Sequence, residues 1–474
     1  MLALLAAFLA VAWSAPLDDF WLTLASGREL LAGAAPGKAL PFTHSPMVEG
    51  AINAQWGAQL LFALPDSVEV ALALQVALVA SGLLLTYWRV LTCSTPTAAG
   101  LAMLVAFVVL RPFLVPRVQA FSILLFPLAL ILLERNVRSR WLPIAYGAIM
   151  LFWSNVHGAF VLGQALPLLL LAGPLLAAVR SGRFADTARD NWVLLSVAVV
   201  ALAAPLMNPV GVALYPHAYG LAGKEIVQRL APEFNPALPW SRLGAPYWAL
   251  AIAVFAGRPW RHGTGAGELF VLGATFLLGV SVVRSIPWFV LAAVPLFAQQ
   301  IGRWLGPPEH MPRGAGNPTL SFRRALAIPI GMAIAAILLQ TLRPRLPDSI
   351  AHLTPIMPVL LVNELERSLP AMPSREPIFN YQGWGGYLAY RLANRISTYV
   401  DGRIETPVPE TWDTYLGLMH GAPWSTAWLD KAGVRWVIVG HQTPLQRVLE
   451  SANWQVQSST SEGVLLKRRE SLGL

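Results

Sequence analysis

Charge is scarce in this chain. Of its 474 residues only 12% are Asp, Glu, Lys or Arg, while 55% are hydrophobic. Soluble globular chains carry about 25% charged residues, so a single soluble fold is excluded: its core could not bury this much apolar surface. Cysteine is nearly absent. Cys93 stands alone, which excludes an intrachain disulfide and any cysteine-built metal site. The sequence also has no internal repeat, against the inverted repeats of many transporters. Finally, no Lys or Arg precedes the first apolar run, so Met1–Ala15 lacks the basic flank of a secretory leader. It reads as a first membrane helix, the alternatives being a cleaved leader or a shortened start.

What is present is a series of apolar blocks near the ~20 residues needed to cross a ~30 Å hydrocarbon layer. They begin with Leu2–Pro16. Val68–Val90, Thr97–Leu114, Val118–Leu133, Trp141–Trp153 and Ala159–Val179 follow. Trp192–Met207, Pro246–Phe255, Leu269–Val283, Pro287–Ala298 and Ala325–Leu342 complete the set. The expectation is an α-helical polytopic membrane domain of about eleven spans over residues 1–342, with a first outward loop at 17–66. A connection over 343–376 then leads to a small α/β domain over 377–474. The net charge is +9, but its arginines sit mainly in short loops. Arg89, Arg135, Arg138, Arg140, Arg180, Arg183, Arg189, Arg258, Arg261 and Arg303 all fall in alternate connections. That is a membrane-orientation signal, N-terminus in and C-terminus out, rather than a nucleic-acid footprint, so no nucleic-acid partner is expected.

The C-terminal stretch is a different material. Short apolar runs such as Trp436-Val437-Ile438-Val439 alternate with helical patterns such as Thr411–Met419, which implies an α/β layer structure.

If the topology holds, polar residues collect on one membrane face. Asp18 and Asp19 open the first outward loop, with Arg28 further along. Arg117 lies at the second outward connection, Asn155 and His157 at the next, Lys224, Glu225 and Glu233 in a long loop, and Arg284 at the end of a later span. Ionisable groups near a bilayer are costly and usually face a cavity or a partner; the plainer reading is interfacial residues satisfied by water. An adjacent Asp pair can coordinate a divalent cation such as Mg or Mn, serve as a general base, or cap the helix that follows. Arg117 and Arg284 can grip phosphate through bidentate guanidinium forks, or simply snorkel to the interface. His157 can donate to a phosphate or move a proton. Asn380, Asp401 and Arg403 can cover such a site from the tail, or do no more than build turns, with Gly385-Gly386 supplying backbone freedom.

The runs Leu17-Asp18-Asp19-Phe20-Trp21, Ser26-Gly27-Arg28 and Pro41-Phe42-Thr43 resemble the first outward loop of a group of bacterial polytopic membrane proteins. So do Arg117–Ser122, Trp153–Gly158, Asn208-Pro209-Val210-Gly211, Asn380–Leu388 and Asp401-Gly402-Arg403. The chain departs from that group at Phe20 and Thr23, where Trp and His are usual. The architecture is similar to the GT-C superfamily of membrane glycosyltransferases. That resemblance implies a membrane lipid partner, a polyprenyl-phosphate-linked sugar donor and an acceptor on the outer face of the bacterial cytoplasmic membrane. It implies Asp18 or Asp19 as the catalytic carboxylate, and Arg117, His157 and Arg284 as contacts to the donor phosphate. Against it stand a transporter or flippase, which would need a polar path where the spans are apolar, and a non-catalytic assembly factor.

Overall fold

A computed structural model describes residues 17–136, 138–220, 225–305, 356–369 and 375–469. Two compact units divide them. One uses the described residues from Ser67 to Leu305; the other joins Leu17–Asp66 to the residues from 356 onward. The loop that the sequence attaches to the membrane domain thus folds with the tail.

The first unit is helical. Val68–Leu91, Pro96–Phe113, Phe160–Ser181 and Val283–Trp304 are long and apolar enough to cross a membrane. Phe184–Asp190 with Trp192–Met207 would make a fifth span, bent by 77°. The count among the described residues is therefore four or five, not about eleven. The expected first and last spans lie outside the described residues. Three others form helices of 15, 13 and 16 residues, at Leu142–Val156, Gly244–Ala256 and Ala266–Ser281. At 1.5 Å per residue these reach only about 20–24 Å, short of a ~30 Å hydrocarbon layer.

Local chemistry sets the helix ends. Ser67 and Thr95 accept the N–H groups of Val70 and Ala98 at 3.3 Å, capping two successive helices. Gly82 lets Val68–Leu91 press on Gln119–Asn136: a Cβ there would meet the Ile123 carbonyl at 2.2 Å. Small residues at such crossings are how membrane helices gain close packing. Pro295 sits inside Ile286–Trp304 and has no N–H for the Leu291 carbonyl one turn back. The buried Arg89 Nη1 donates to that carbonyl at 3.0 Å, while its other nitrogens reach Glu134 at 2.5 and 3.2 Å.

The second unit is α/β. Strands β1 (Gly37–Lys38) and β2 (Ile52–Asn53) form a small antiparallel pair. Five more strands, β3 (Glu376–Asn380), β4 (Ile396–Thr398), β5 (Trp436–Val439), β6 (Trp454–Ser459) and β7 (Val464–Arg468), make a sheet of order β4-β3-β5-β7-β6. The β3–β4 and β3–β5 pairs are parallel; β5–β7 and β6–β7 are antiparallel. Every residue of β5 is buried, as expected of a central strand read as one apolar run. The N-terminal segment extends this sheet. Thr43 bridges Thr398 in parallel, Thr398 donates its N–H to the Phe42 carbonyl, and His44 donates its own to the Thr398 carbonyl. Helix Asp18–Leu31 then packs on helix Gly385–Leu392 through Leu22, Ala25 and Ala389, above Leu40 and Phe42. Trp21 is fully buried, edge-on to Tyr387 at 5.1 Å between ring centres. Burying a large apolar side chain of this kind contributes on the order of 2–3 kcal/mol.

Candidate functional site

Acidic residues gather in the second unit. The sequence suggests Asp18 as a cap on its own helix, and it is not one: that helix begins after Leu17 with no side-chain cap. Asp18 instead caps a helix 368 positions away. Its Oδ1 accepts the N–H of Gly386 at 2.7 Å and of Tyr387 at 3.2 Å. Those amides belong to the first turn of Gly385–Leu392, which has no side-chain cap of its own. Unsatisfied N–H groups and the positive end of the helix dipole favour a carboxylate there. The other oxygen, Oδ2, is buried with no hydrogen-bond partner.

Gly402 stands over this carboxylate. A Cβ there would lie 3.2 Å from Asp18 Oδ2 and 3.0 Å from Asp19 Oδ1, so two carboxylates converge on one point. Asp401 is also close enough to act on Asp18 by its charge. Burial first, then the charges of Asp19 and Asp401, push the Asp18 pKa well above the ordinary carboxylate value, against the pull of the two amides.

The tail residues hold this arrangement together. Asp401, 1% exposed, takes the guanidinium of Arg403 on both its oxygens, at 2.5–3.1 Å, and the Arg403 N–H at 2.9 Å. Arg403 also donates to the Leu40 carbonyl at 2.7 Å. Asn380 is buried at the end of β3. Its amide donates to the carbonyls of Tyr381 and Val400 and accepts the N–H of Tyr399, so it fixes the approach to the Asp401 turn. Gly385 and Gly386 supply closeness rather than conformational freedom, since neither has a positive φ. A Cβ on Gly385 would sit 2.4 Å from the Val400 carbonyl, and one on Gly386 2.5 Å from the Asp18 carbonyl. Arg28 is elsewhere. It reaches the hydroxyl of Tyr390 and Asp66, about 15 Å down the helix from Asp18 by helical rise.

Could this acidic set hold a divalent cation? Asp18 Oδ2 and the Asp19 carboxylate are hard oxygen donors facing the same point, and Mg²⁺ is often held by one or two carboxylates with the remaining positions filled by water and substrate. Among the described residues no group of three or more His, Cys, Asp or Glu could hold a metal ion. Two carboxylates are thus at most a partial donor set, which water or substrate would have to complete.

Basic residues gather in the first unit. Arg117 Nη1 donates to both oxygens of Glu233, at 2.9 and 2.8 Å, and Arg284 Nη1 to one of them at 2.7 Å. Burial opposes charge on Glu233, but Arg284 and Arg117 outweigh it and hold its carboxyl below the ordinary range. His157 lies in the connection after Leu142–Val156, close enough for the Arg284 charge to act on it; burial first, then that charge, lower its pKa to about 3. Its tautomer follows from its neighbours. Trp153 Nε1–H donates to the Ser122 hydroxyl at 2.7 Å, and the Ala159 N–H points at His157 Nδ1 at 3.4 Å, so Nδ1 is an acceptor and takes the Ser122 proton at 2.6 Å. Nε2 thus carries the hydrogen. Asn208 donates to the Ser154 carbonyl and accepts the Val210 N–H, which makes Asn208-Pro209-Val210-Gly211 a pinned turn. Asn155 donates to the Leu151 carbonyl at 2.6 Å. Glu225 opens a short helix and is exposed; Lys224 lies outside the described residues.

No protein-family model matches the sequence, and no curated protein matches it. Solved structures do. The Archaeoglobus fulgidus oligosaccharyltransferase, solved with a tethered acceptor peptide containing the NVT sequon, superposes with a TM-score of 0.50 at 14% identity. The match covers 92% of this chain and 68% of that one. The mycobacterial arabinofuranosyltransferase AftD superposes at 0.51 with 16% identity, over 97% of this chain and 39% of AftD. At these identities the likeness is one of fold: the chain is folded like these two transferases. This chain places an acidic set in one unit and an arginine pair in the other. Sequence reading names both arginines without their partner. Glu233, in the turn Pro232-Glu233-Phe234, is visible there only as one more polar residue of a long loop.

Proposed function

We propose that this chain is a membrane glycosyltransferase that moves a sugar from a polyprenyl-phosphate carrier to an acceptor hydroxyl on the extracytoplasmic face of a bacterial cytoplasmic membrane. In this reading the chain crosses the membrane several times, N-terminus in, and its α/β unit faces outward. The observation that carries it is Asp18: a buried carboxylate with one oxygen fixed by two backbone amides and the other without a partner beside Asp19.

The chemistry is a single displacement. The acceptor oxygen bonds to the anomeric carbon as the bond from that carbon to the phosphate oxygen breaks. The acceptor proton passes to Asp18, whose raised pKa makes it a stronger base than an ordinary aspartate. The departing lipid phosphate takes the electron pair; separately, Arg117 and Arg284 of the helical unit are proposed as a lipid-phosphate clamp. His157 Nε2–H is a further donor for a phosphate oxygen. Asp401 and Arg403 position the turn that carries Gly402, and Asn380 positions them. A divalent cation, if bound by Asp18 and Asp19, would supply Lewis-acid charge stabilisation there.

The test is release of undecaprenyl phosphate from synthetic undecaprenyl-phospho-sugars by the purified chain in the presence of acceptor, across a panel of hexoses and pentoses. The wild type should turn over at least one donor, and Asp18→Asn should lose roughly 100-fold or more, the usual scale for a general base. Equal turnover by Asp18→Asn and by Asp19→Asn would remove the catalytic assignment.

A further inference from the structure

Two arginines on one carboxylate reproduce what a phosphate asks of the same groups: two anionic oxygens, each met by a guanidinium N–H. The inference that follows rests on the reading of Arg117 and Arg284 as a phosphate clamp. We propose that Glu233 is a resident substitute for phosphate in this clamp, and that its side chain swings out when a lipid phosphate enters and returns as that phosphate leaves.

Three features of the site separate this from a fixed structural bridge. The backbone around Glu233 is fastened. Ala237 donates its N–H to the Val280 carbonyl and Val283 donates to the Asn235 carbonyl, both at 2.9 Å. Exchange therefore needs only rotation about the three side-chain bonds of Glu233, with no loop movement. Arg284 has a second support that does not depend on Glu233, since its guanidinium lies 5.3 Å from the centre of the Phe234 ring. The clamp can stay formed while the carboxylate is away. Glu233 also has somewhere to go: its side chain is 30% exposed, against 1% for Asp401 in its pair with Arg403. A carboxylate that reaches water can leave a pair without the cost of a stranded buried charge.

Charge supplies the reason for such a device. With His157 neutral, Arg117, Arg284 and Glu233 sum to +1; with Glu233 swung out the arginines alone present +2. A phosphate monoester carries about −1.5 to −2 at pH 7, so the open clamp matches the product of transfer. The returning carboxylate then competes with that product and limits how long it stays.

Binding of undecaprenyl phosphate to the full chain in nanodiscs tests this, alongside carbodiimide labelling of Glu233 read by mass spectrometry. Glu233→Gln keeps the shape and removes the competing charge, so it should bind the lipid about tenfold tighter or more. In the wild type, which needs no variant to fold, undecaprenyl phosphate should raise Glu233 labelling severalfold, and inorganic phosphate at the same concentration should not. Equal labelling by inorganic phosphate would overturn the lipid as the source of the ligand. If Glu233→Gln binds no tighter and labelling does not rise, while Arg117→Ala with Arg284→Ala loses binding, Glu233 is a fixed brace and the inference falls with the phosphate clamp intact. If the double arginine variant binds as the wild type does, the clamp reading itself fails and takes the inference with it.

Discussion

Asp18 Oδ1 accepts the backbone N–H of Gly386 at 2.7 Å, and a methyl group on Gly386 would close that gap. The Cβ would stand 2.5 Å from the Asp18 carbonyl and 2.8 Å from Leu22 Cβ. Gly386→Ala should therefore lower the thermal midpoint of the α/β unit, at a cost of about 1–3 kcal/mol for overpacking. Gly440→Ala is the control, because nothing lies within 4 Å of its Cβ position. Differential scanning fluorimetry with the two variants side by side checks this; equal midpoints would contradict the close approach of the two helices.

Asp18 also carries a pH signature. Its folded pKa is raised above the ordinary 3.8. Between the two values the folded chain keeps a proton that the unfolded chain has lost, so stability falls as pH rises through that window and levels off above the raised value. Asp18→Asn removes the slope. The variant should melt above the wild type at neutral pH, and the two should converge at acid pH below the ordinary carboxylate range. A constant difference at all pH values would rule out titration of Asp18 as the cause.

Arg89 and Pro295 are a matched pair. Proline deprives the Leu291 carbonyl of its helical donor, and Arg89 replaces it. Arg89→Ala should cost on the order of 1–3 kcal/mol by stranding that carbonyl and the Glu134 partner. Pro295→Ala restores a backbone N–H, so the double variant should regain part of the loss. A double-mutant cycle on thermal midpoints measures the coupling, and strict additivity would mean that the two do not act on the same carbonyl.

Ser122 is the relay that sets the His157 tautomer. In protein labelled with ¹⁵N-histidine, His157 should give the Nε2–H pattern, with no protonation near neutral pH in keeping with a pKa of about 3. Ser122→Ala leaves Trp153 Nε1 and His157 Nδ1 without this hydroxyl. A cost of about 1–3 kcal/mol is expected, together with a shifted tautomer signal. An unchanged spectrum would show that another group fixes the ring.

The tail is legible element by element. Trp436–Val439 and the Trp454–Ser459 and Val464–Arg468 pair fall where short apolar runs end at Gly, Thr or Ser, because turn residues punctuate strands at close range. The span count is not, because apolar length alone does not show where a helix stops: the blocks at Trp141, Pro246 and Leu269 yield helices too short to cross a bilayer unaided. The candidate residues can be named from chemistry, but their partners cannot. Asp18 meets Gly386, Arg117 meets Glu233 and Arg89 meets Leu291 across 368, 116 and 202 positions, and no local pattern encodes such pairings. The same distance hides the reason for Gly385-Gly386, which answers to neighbours from two other segments.

The α/β unit is completed from both ends of the chain, and synthesis runs in one direction. Helix Asp18–Leu31 emerges early, while its seat at Gly385–Leu392 follows more than 350 residues later. At about 5–20 residues per second, that is roughly 20–70 s during which Trp21 and Leu22 lack the neighbours that cover them, Tyr387 and Ala389, and every intervening membrane helix must be inserted. A nascent chain halted before Gly385 would present helix Asp18–Leu31 without the helix it packs on.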